Sequence, residues 1–293
     1  MTTLIDELPE SKVAHLHHKA LKKLPEVTLV FWIMKICATT LGETAGDMFS
    51  MTLNIGYFLT TIALFAIFLV SLVAQLRSKQ YNPLFYWTVI LTTSTAGTTI
   101  SDFMNRDQAF LDKNGLTSMF GPAGLGLGYP EGAAILISIL VAIFAIWKLT
   151  GETFQINQIH SFKGETLFWS AILVSNTLGT SIGDFLSDTS GLGYAGGAAL
   201  ISSLLLILWA LTRVPQVSNT LVFWLAFVLT RPLGATVGDF LTKSTAKGGL
   251  ALGTYGASAV LMAVLLGFMW KSHRDERRLI ERDPNSALVQ QTA

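Results

Sequence analysis

Residues 32–47 read WIMKICATTLGETAGD, and the same frame returns as WTVILTTSTAGTTISD at 87–102, WSAILVSNTLGTSIGD at 169–184 and WLAFVLTRPLGATVGD at 224–239. In every copy a Trp is followed ten positions on by Gly and five further on by Asp: Trp32, Gly42, Asp47; Trp87, Gly97, Asp102; Trp169, Gly179, Asp184; Trp224, Gly234, Asp239. A hydroxyl residue stands three positions before each Asp (Thr44, Thr99, Ser181, Thr236), and a small residue stands directly before it (Gly46, Ser101, Gly183, Gly238). The Asp-to-Asp steps are 55, 82 and 55, and both the first-to-third and second-to-fourth offsets are 137. A unit of two repeats was therefore itself duplicated, and one acidic position was kept in all four copies.

The surroundings of that acid are apolar. Of 293 residues 51% are hydrophobic and 13% charged, about half the charged share of an ordinary soluble domain. Mean hydropathy is +0.51. Apolar stretches run over 25–49, 56–76, 84–104, 128–149, 165–186, 194–212, 220–241 and 250–270, each about the twenty residues a helix needs to cross a bilayer. The expected fold is all-α: a polytopic membrane protein of eight transmembrane helices, built from four tandem two-helix repeats in parallel orientation. Residues 25–150 hold repeats one and two and 151–271 hold repeats three and four, between an N-terminal segment, 1–24, and a tail, 272–293.

Orientation follows from the basic residues. The N-terminal segment, the even-numbered loops and the tail hold fourteen Lys and Arg, against four (Arg106, Lys113, Lys243, Lys247) in the odd-numbered loops. By the positive-inside tendency both termini are cytoplasmic. All seven Trp then fall near the cytoplasmic interface, where Trp32, Trp87, Trp169 and Trp224 read as interface anchors; Tyr57, Tyr129, Tyr194 and Tyr255 fall near the outer one. Residues 10–24 read as a basic amphipathic helix on the inner leaflet, carrying His15, His17 and His18. The second repeat carries an outer insertion within 105–128, a lid or a tolerated loop. The first 24 residues lack a cleavable-signal pattern, and a net charge of +1 gives no reason to expect nucleic acid. Cys37 is the only cysteine, so neither an intramolecular disulfide nor a thiolate cluster is expected.

Residues three apart share a helix face, so each hydroxyl points the same way as the Asp after it. Gly42 and Gly46, Gly97 and Ser101, Gly179 and Gly183, and Gly234 and Gly238 are four apart, the small-xxx-small spacing that lets another helix come close. Close packing at this level draws the four acids together, as a ring or as two facing pairs. An Asp at a helix end can serve merely to bond loop backbone. A carboxylate within the membrane costs about 3 kcal/mol on insertion scales, however, and Asn would bond a loop nearly as well, so four retained acids point to function.

Carboxylates beside hydroxyls suit Mg, Ca, Mn, alkali cations or protons. All five His lie outside the expected spans, so a soft-metal site is not expected there. Glu43 adds a further acid, while Lys35 and Arg231 add two buried cations that could balance the cluster or stand in for a substrate cation. Pro232 marks a kink in the fourth copy. No nucleophile–His pair falls within a span and no HExxH motif occurs, so an enzyme is not expected, nor is any cofactor.

The repeated Trp, the GxTxGD-like segment and the Tyr opening the next helix resemble a bacterial membrane protein family of four tandem two-helix repeats, known as a repeat of unknown function. The resemblance covers residues 25–271; Ser101 in copy two and Arg231-Pro232 in copy four depart from the pattern. It implies this fold and a bacterial inner-membrane setting, and it brings no substrate. The expectation is a transporter of a small cation, a divalent metal first. Asp47, Asp102, Asp184 and Asp239 would be its ligands or proton carriers, with Thr44, Thr99, Ser181 and Thr236 beside them. The alternatives are a proton-coupled carrier of a small organic solute, with Lys35 or Arg231 holding an anion, and a non-transporting scaffold or sensor.

Overall fold

A computed structural model describes residues 24–78, 81–113, 123–159 and 161–282. Residues 10–23 of the amphipathic helix expected over 10–24, with its three His, lie outside the described residues, as does 114–122 of the outer insertion.

Among the described residues eight long helices alternate: α1 (Leu29–Asp47), α2 (Tyr57–Arg77), α3 (Pro83–Asn105), α4 (Tyr129–Leu149), α5 (Phe162–Asp184), α6 (Gly193–Leu211), α7 (Asn219–Thr242) and α8 (Gly253–Arg282). The odd helices start on side-chain caps: Thr28 accepts from Phe31 N, Asn82 from Leu84 N, Ser161 from Gly164 N and Ser218 from Leu221 N. Each cap satisfies an amide that the helix itself cannot. Thr28 is also why α1 begins at Leu29 rather than at Pro25. The even helices start at or just after a glycine with positive φ (Gly56, Gly128, Gly193, Gly253), a turn that side chains with a Cβ rarely adopt.

The odd helices close a ring, α1 against α3, α3 against α5, α5 against α7, and α7 back against α1. The even helices lie outside it. Each packs mainly on the inner helix of the following repeat: α2 on α3, α4 on α5, α6 on α7, and α8 on α1. Every repeat therefore lends its outer helix to the next, and the fourth repeat completes the first, because a lone helix pair has too little surface to bury its own face.

Glycine sets the register of the ring. A Cβ on Gly42 would stand 2.5 Å from Ser94 Cβ, one on Gly97 3.0 Å from Asn176 Cβ, and one on Gly234 2.5 Å from Thr39 Oγ1, while Gly179 lies against the Arg231 side chain. In each case the Gly ten positions after a Trp meets the residue seven positions after the next repeat's Trp. The second small position repeats the contact one turn on, Gly46 against Thr98, Gly183 against Ala235 and Gly238 against Glu43. In copy two Ser101 replaces Gly and hydrogen-bonds Ser181 at 2.8 Å. Gly42 to Gly46 and Ser94 to Thr98 advance together, so the contacts step in one direction along both helices.

The opposite end of the ring is aromatic. Phe31 packs on Trp87 (centroids 5.6 Å apart), Tyr86 on Trp169 (5.6 Å), Phe168 on Trp224 (5.9 Å) and Phe223 on Trp32 (5.8 Å). Such pairs contribute about 0.5–1.5 kcal/mol each beyond burial. Trp87, Trp169 and Trp224 are buried at these seams and Trp32 is half-buried. The surface that the sequence offers as interface anchors is thus largely taken up by helix packing, because the residue before each Trp supplies a ring to the next repeat.

Among the described residues five helices are long and apolar enough to cross a membrane: α2, α4, α6, α7 and the Gly253–Asp275 part of α8. Ile62, Val70, Val141, Leu206, Val260 and Leu266 are among the aliphatic side chains exposed around the outside, an apolar surface far larger than a soluble monomer presents. Helices α1, α3 and α5 are as long, but their Thr, Ser, Asn and acidic residues lower their apolarity. Those residues are buried against neighbouring helices: Thr39, Glu43, Thr93, Thr98, Asn176 and Thr180 are all at most 2% exposed.

Candidate functional site

The four repeated aspartates lie in the last turns of the four inner helices, all buried, and form two pairs, each bridged by one cation. Lys243 Nζ lies 2.5 Å from Asp47 Oδ2 and 3.1 Å from Asp239 Oδ1. Arg106 places Nε 3.2 Å from Asp102 Oδ1 and Nη2 2.9 Å from Asp184 Oδ2.

Local structure explains why only copies two and four supply a cation. After Asp102 and Asp239 the helix stops at an extended residue, Arg106 or Lys243, whose N–H donates to the carbonyl of the Asp four positions back. Its side chain is thereby folded over the helix end. In copies one and three the chain instead widens into a π turn, Met48–Thr52 or Phe185–Thr189, and the equivalent residues are Met51 and Asp188. Arg106 and Lys243 were read from sequence only as loop charges. Their signal was present nonetheless: both stand four residues after a repeated Asp, and they are 137 residues apart.

The two pairs differ. Glu43 joins the Lys243 pair, so that one carboxylate oxygen each from Glu43, Asp47 and Asp239 falls within 4.8 Å of the others. The Arg106 pair is enclosed by tyrosines, with Arg106 donating to Tyr57 Oη at 2.8 Å and to Tyr129 Oη at 3.2 Å.

One turn further in, Arg231 and Glu43 tie the ring together. Arg231 of α7 donates to Glu43 Oε2 of α1 at 3.0 Å, to the Thr98 hydroxyl of α3 and to the Thr180 hydroxyl of α5 at 2.7 Å. It also donates to the carbonyls of Ser94 and Thr39, at 3.3 and 3.4 Å. A guanidinium that reaches all three other inner helices stands at the centre of the ring. Glu43, Thr98, Thr180 and Ala235 occupy the same repeat position, eleven after the Trp, and the small Ala235 lies on α7 itself, the one helix from which Arg231 needs no partner.

Lys35, four residues before Thr39, is wholly buried, its Nζ 4.0 Å from the centroid of the Phe227 ring. It makes no hydrogen bond among the described residues. Its equivalents in the other repeats are Ile90, Ile172 and Phe227, an apolar layer, so Lys35 faces a ring where the sequence reading has it balancing acids.

The repeated hydroxyls do not join the acids. Thr99 donates to Ala96 O at 3.2 Å, Thr236 to Pro232 O at 3.0 Å and Thr44 to Leu41 O at 3.3 Å, while Ser181 bonds Ser101. Back-bonding to the preceding turn is what a helical Thr or Ser does when its helix is closely packed. The ligand set offered by the geometry is therefore carboxylate, without these hydroxyls.

A closed ring of helices with an apolar outside and paired acidic and basic side chains inside defines a helical repeat protein of the membrane. The chain belongs to the family described as Repeat of Unknown Function (DUF347), which it matches over residues 30–81, 85–153, 167–216 and 222–278. Each match covers one inner and one outer helix. No curated protein and no solved structure matches the chain.

Proposed function

We propose that this protein is an integral membrane transporter of a small cation, a divalent metal first, which it binds between Glu43, Asp47 and Asp239. The observation that carries the reading is the convergence of three buried carboxylates within 4.8 Å. Mg and Ca hold oxygen at about 2.0–2.6 Å, so oxygens on opposite sides of one ion are about 4–5 Å apart. Formal charge agrees. Set against Arg231, which Glu43 engages, and Lys243, which bridges Asp47 and Asp239, three carboxylates leave one negative charge, and two once the Lys243 ammonium moves aside, the number one divalent cation neutralises.

Glu43 also suggests how binding reaches the ring centre. It is shared between the cation site and Arg231, so an ion that draws Glu43 toward itself weakens the tie across α1, α3, α5 and α7. The organic-solute reading is less well supported, since Arg231 is engaged by Glu43 and Lys35 lies on Phe227. The scaffold reading is less well supported too, since the carboxylates meet cations rather than helix-end amides.

The test is stability of the purified protein with Mn, Mg, Ca or Na. A cation that binds the native state raises the melting temperature by mass action, by about 2.7 kcal/mol of apparent stability at a hundredfold excess over Kd. No shift with any of the four would remove the proposal.

In this reading all eight helices span a bacterial inner membrane, with both termini cytoplasmic. The inward-facing polar residues of α1, α3 and α5 and the bias of basic residues support it. In a Cys37→Ser chain, a cysteine at Asp112 should react with an impermeant thiol reagent in intact cells and one at Ser272 should not. The reverse pattern would invert the topology.

A further inference from the structure

The two acid pairs descend from one duplicated half, and their cations are held in different ways. Arg106 is 4% exposed and is bonded to Asp102, Asp184, Tyr57 and Tyr129, with Met51 Sδ 3.6 Å from its Nη1. Its planar fork meets carboxylates and hydroxyls from four helices at once. Withdrawing it would strand two buried acids, one buried phenol and one half-buried phenol.

Lys243 is 20% exposed, and its ammonium contacts Asp47 and Asp239. The tyrosine equivalent to Tyr57, which is Tyr194, donates to Asp188 at 3.3 Å instead, and Tyr255 is 55% exposed. No phenol therefore clasps Lys243 as two clasp Arg106. A lysine is a point charge on a flexible stem, already partly in solvent, and can swing away without repacking its neighbours. The other oxygen of Asp47, Oδ1, is buried with no hydrogen-bond partner among the described residues, an additional ligand atom beside the ammonium.

We propose that the Lys243 ammonium occupies the place of the transported cation and is displaced when the ion binds, whereas Arg106 is a fixed clasp that never leaves. This rests on the cation reading of the same site. It makes the molecule functionally single-sited despite its internal symmetry: one ion is bound per chain, next to Glu43, and the Asp102–Asp184 pair stays structural. Lys243 then sets affinity, because the ion must compete with a tethered charge.

The experiment uses Mn2+ with the full-length purified protein. Lys243→Gln removes the competitor and should lower the apparent Kd for Mn2+ by tenfold or more, while Arg106→Gln should lower the melting temperature without tightening binding. A second readout needs no variant. In the parent protein the rate at which an amine-reactive ester modifies Lys243, followed by peptide mass, should rise severalfold with saturating Mn2+, since the displaced amine moves into solvent.

If the parent binds Mn2+ but Lys243→Gln binds no tighter and labelling is unchanged, the displacement proposal is wrong and the cation reading stands. Should Lys243→Gln not fold, unchanged labelling of the parent with bound Mn2+ is enough to overturn it. If neither protein binds Mn2+, Mg2+, Ca2+ or Na+, the cation reading falls and this proposal with it.

Discussion

Arg231→Gln should lower stability by about 3–5 kcal/mol, the cost of leaving a buried charge without its partner. Glu43 is 1% exposed and would keep only hydroxyl donors, from Thr98 at 3.3 Å and Thr180 at 3.4 Å. The effect is large for a second reason: Arg231, like Glu43, bonds all three of the other inner helices, so its loss removes its ties to α1, α3 and α5 together. Thermal unfolding in detergent should show a fall in melting temperature on the order of 5–10 °C. Arg231→Met combined with Glu43→Gln should recover much of that loss, because neither charge is then buried. A single variant as stable as the parent would mean that Arg231 is not the tie described above.

The second large effect concerns cation binding, and it separates the two acid pairs. Asn keeps the shape of Asp and removes its charge. Asp47→Asn and Asp239→Asn should therefore abolish the stabilisation by a bound cation, the whole of the roughly 2.7 kcal/mol expected at a hundredfold excess over Kd. Asp102→Asn and Asp184→Asn should retain it, because their carboxylates serve Arg106 and lie outside the group formed with Glu43. Melting curves of the four variants, each with and without the ion, decide this. Equal loss in all four would favour one shared four-acid site.

Much of the architecture was legible in the repeated frame. The Trp-to-Asp spacing located four inner helices, the apolar runs located four outer ones, and the glycines marked where the inner helices touch. The exchange of outer helices between repeats was not legible, since α2 carries no local signal that it packs on α3 rather than on α1. The packing of α8 on α1 was hidden for the same reason: partner choice is made by tertiary packing, not by periodicity.

The site was read in part. The acids stood out because one residue recurred four times. Arg106 and Lys243 did not, because the chain turns at the helix ends and brings loop residues back onto the acids. Arg231 and Glu43 looked like isolated exceptions, yet both sit in polar columns visible on alignment of the four copies: Thr39, Ser94, Asn176 and Arg231 in one, Glu43, Thr98 and Thr180 in the other. The repeated hydroxyls misled because facing the same way as an acid does not make a ligand when a backbone carbonyl lies closer.

The central claim is that the group formed by Glu43, Asp47 and Asp239 carries a cation across the membrane. Its most direct test is uptake of Mn2+ into sealed proteoliposomes loaded with a Mn2+-quenched dye, comparing the parent protein with Asp239→Asn. The account predicts saturable quenching with the parent and background quenching with the variant at equal reconstitution. Quenching by the parent no faster than in protein-free liposomes, with Mg2+, Ca2+ and Na+ likewise failing to cross, would contradict it.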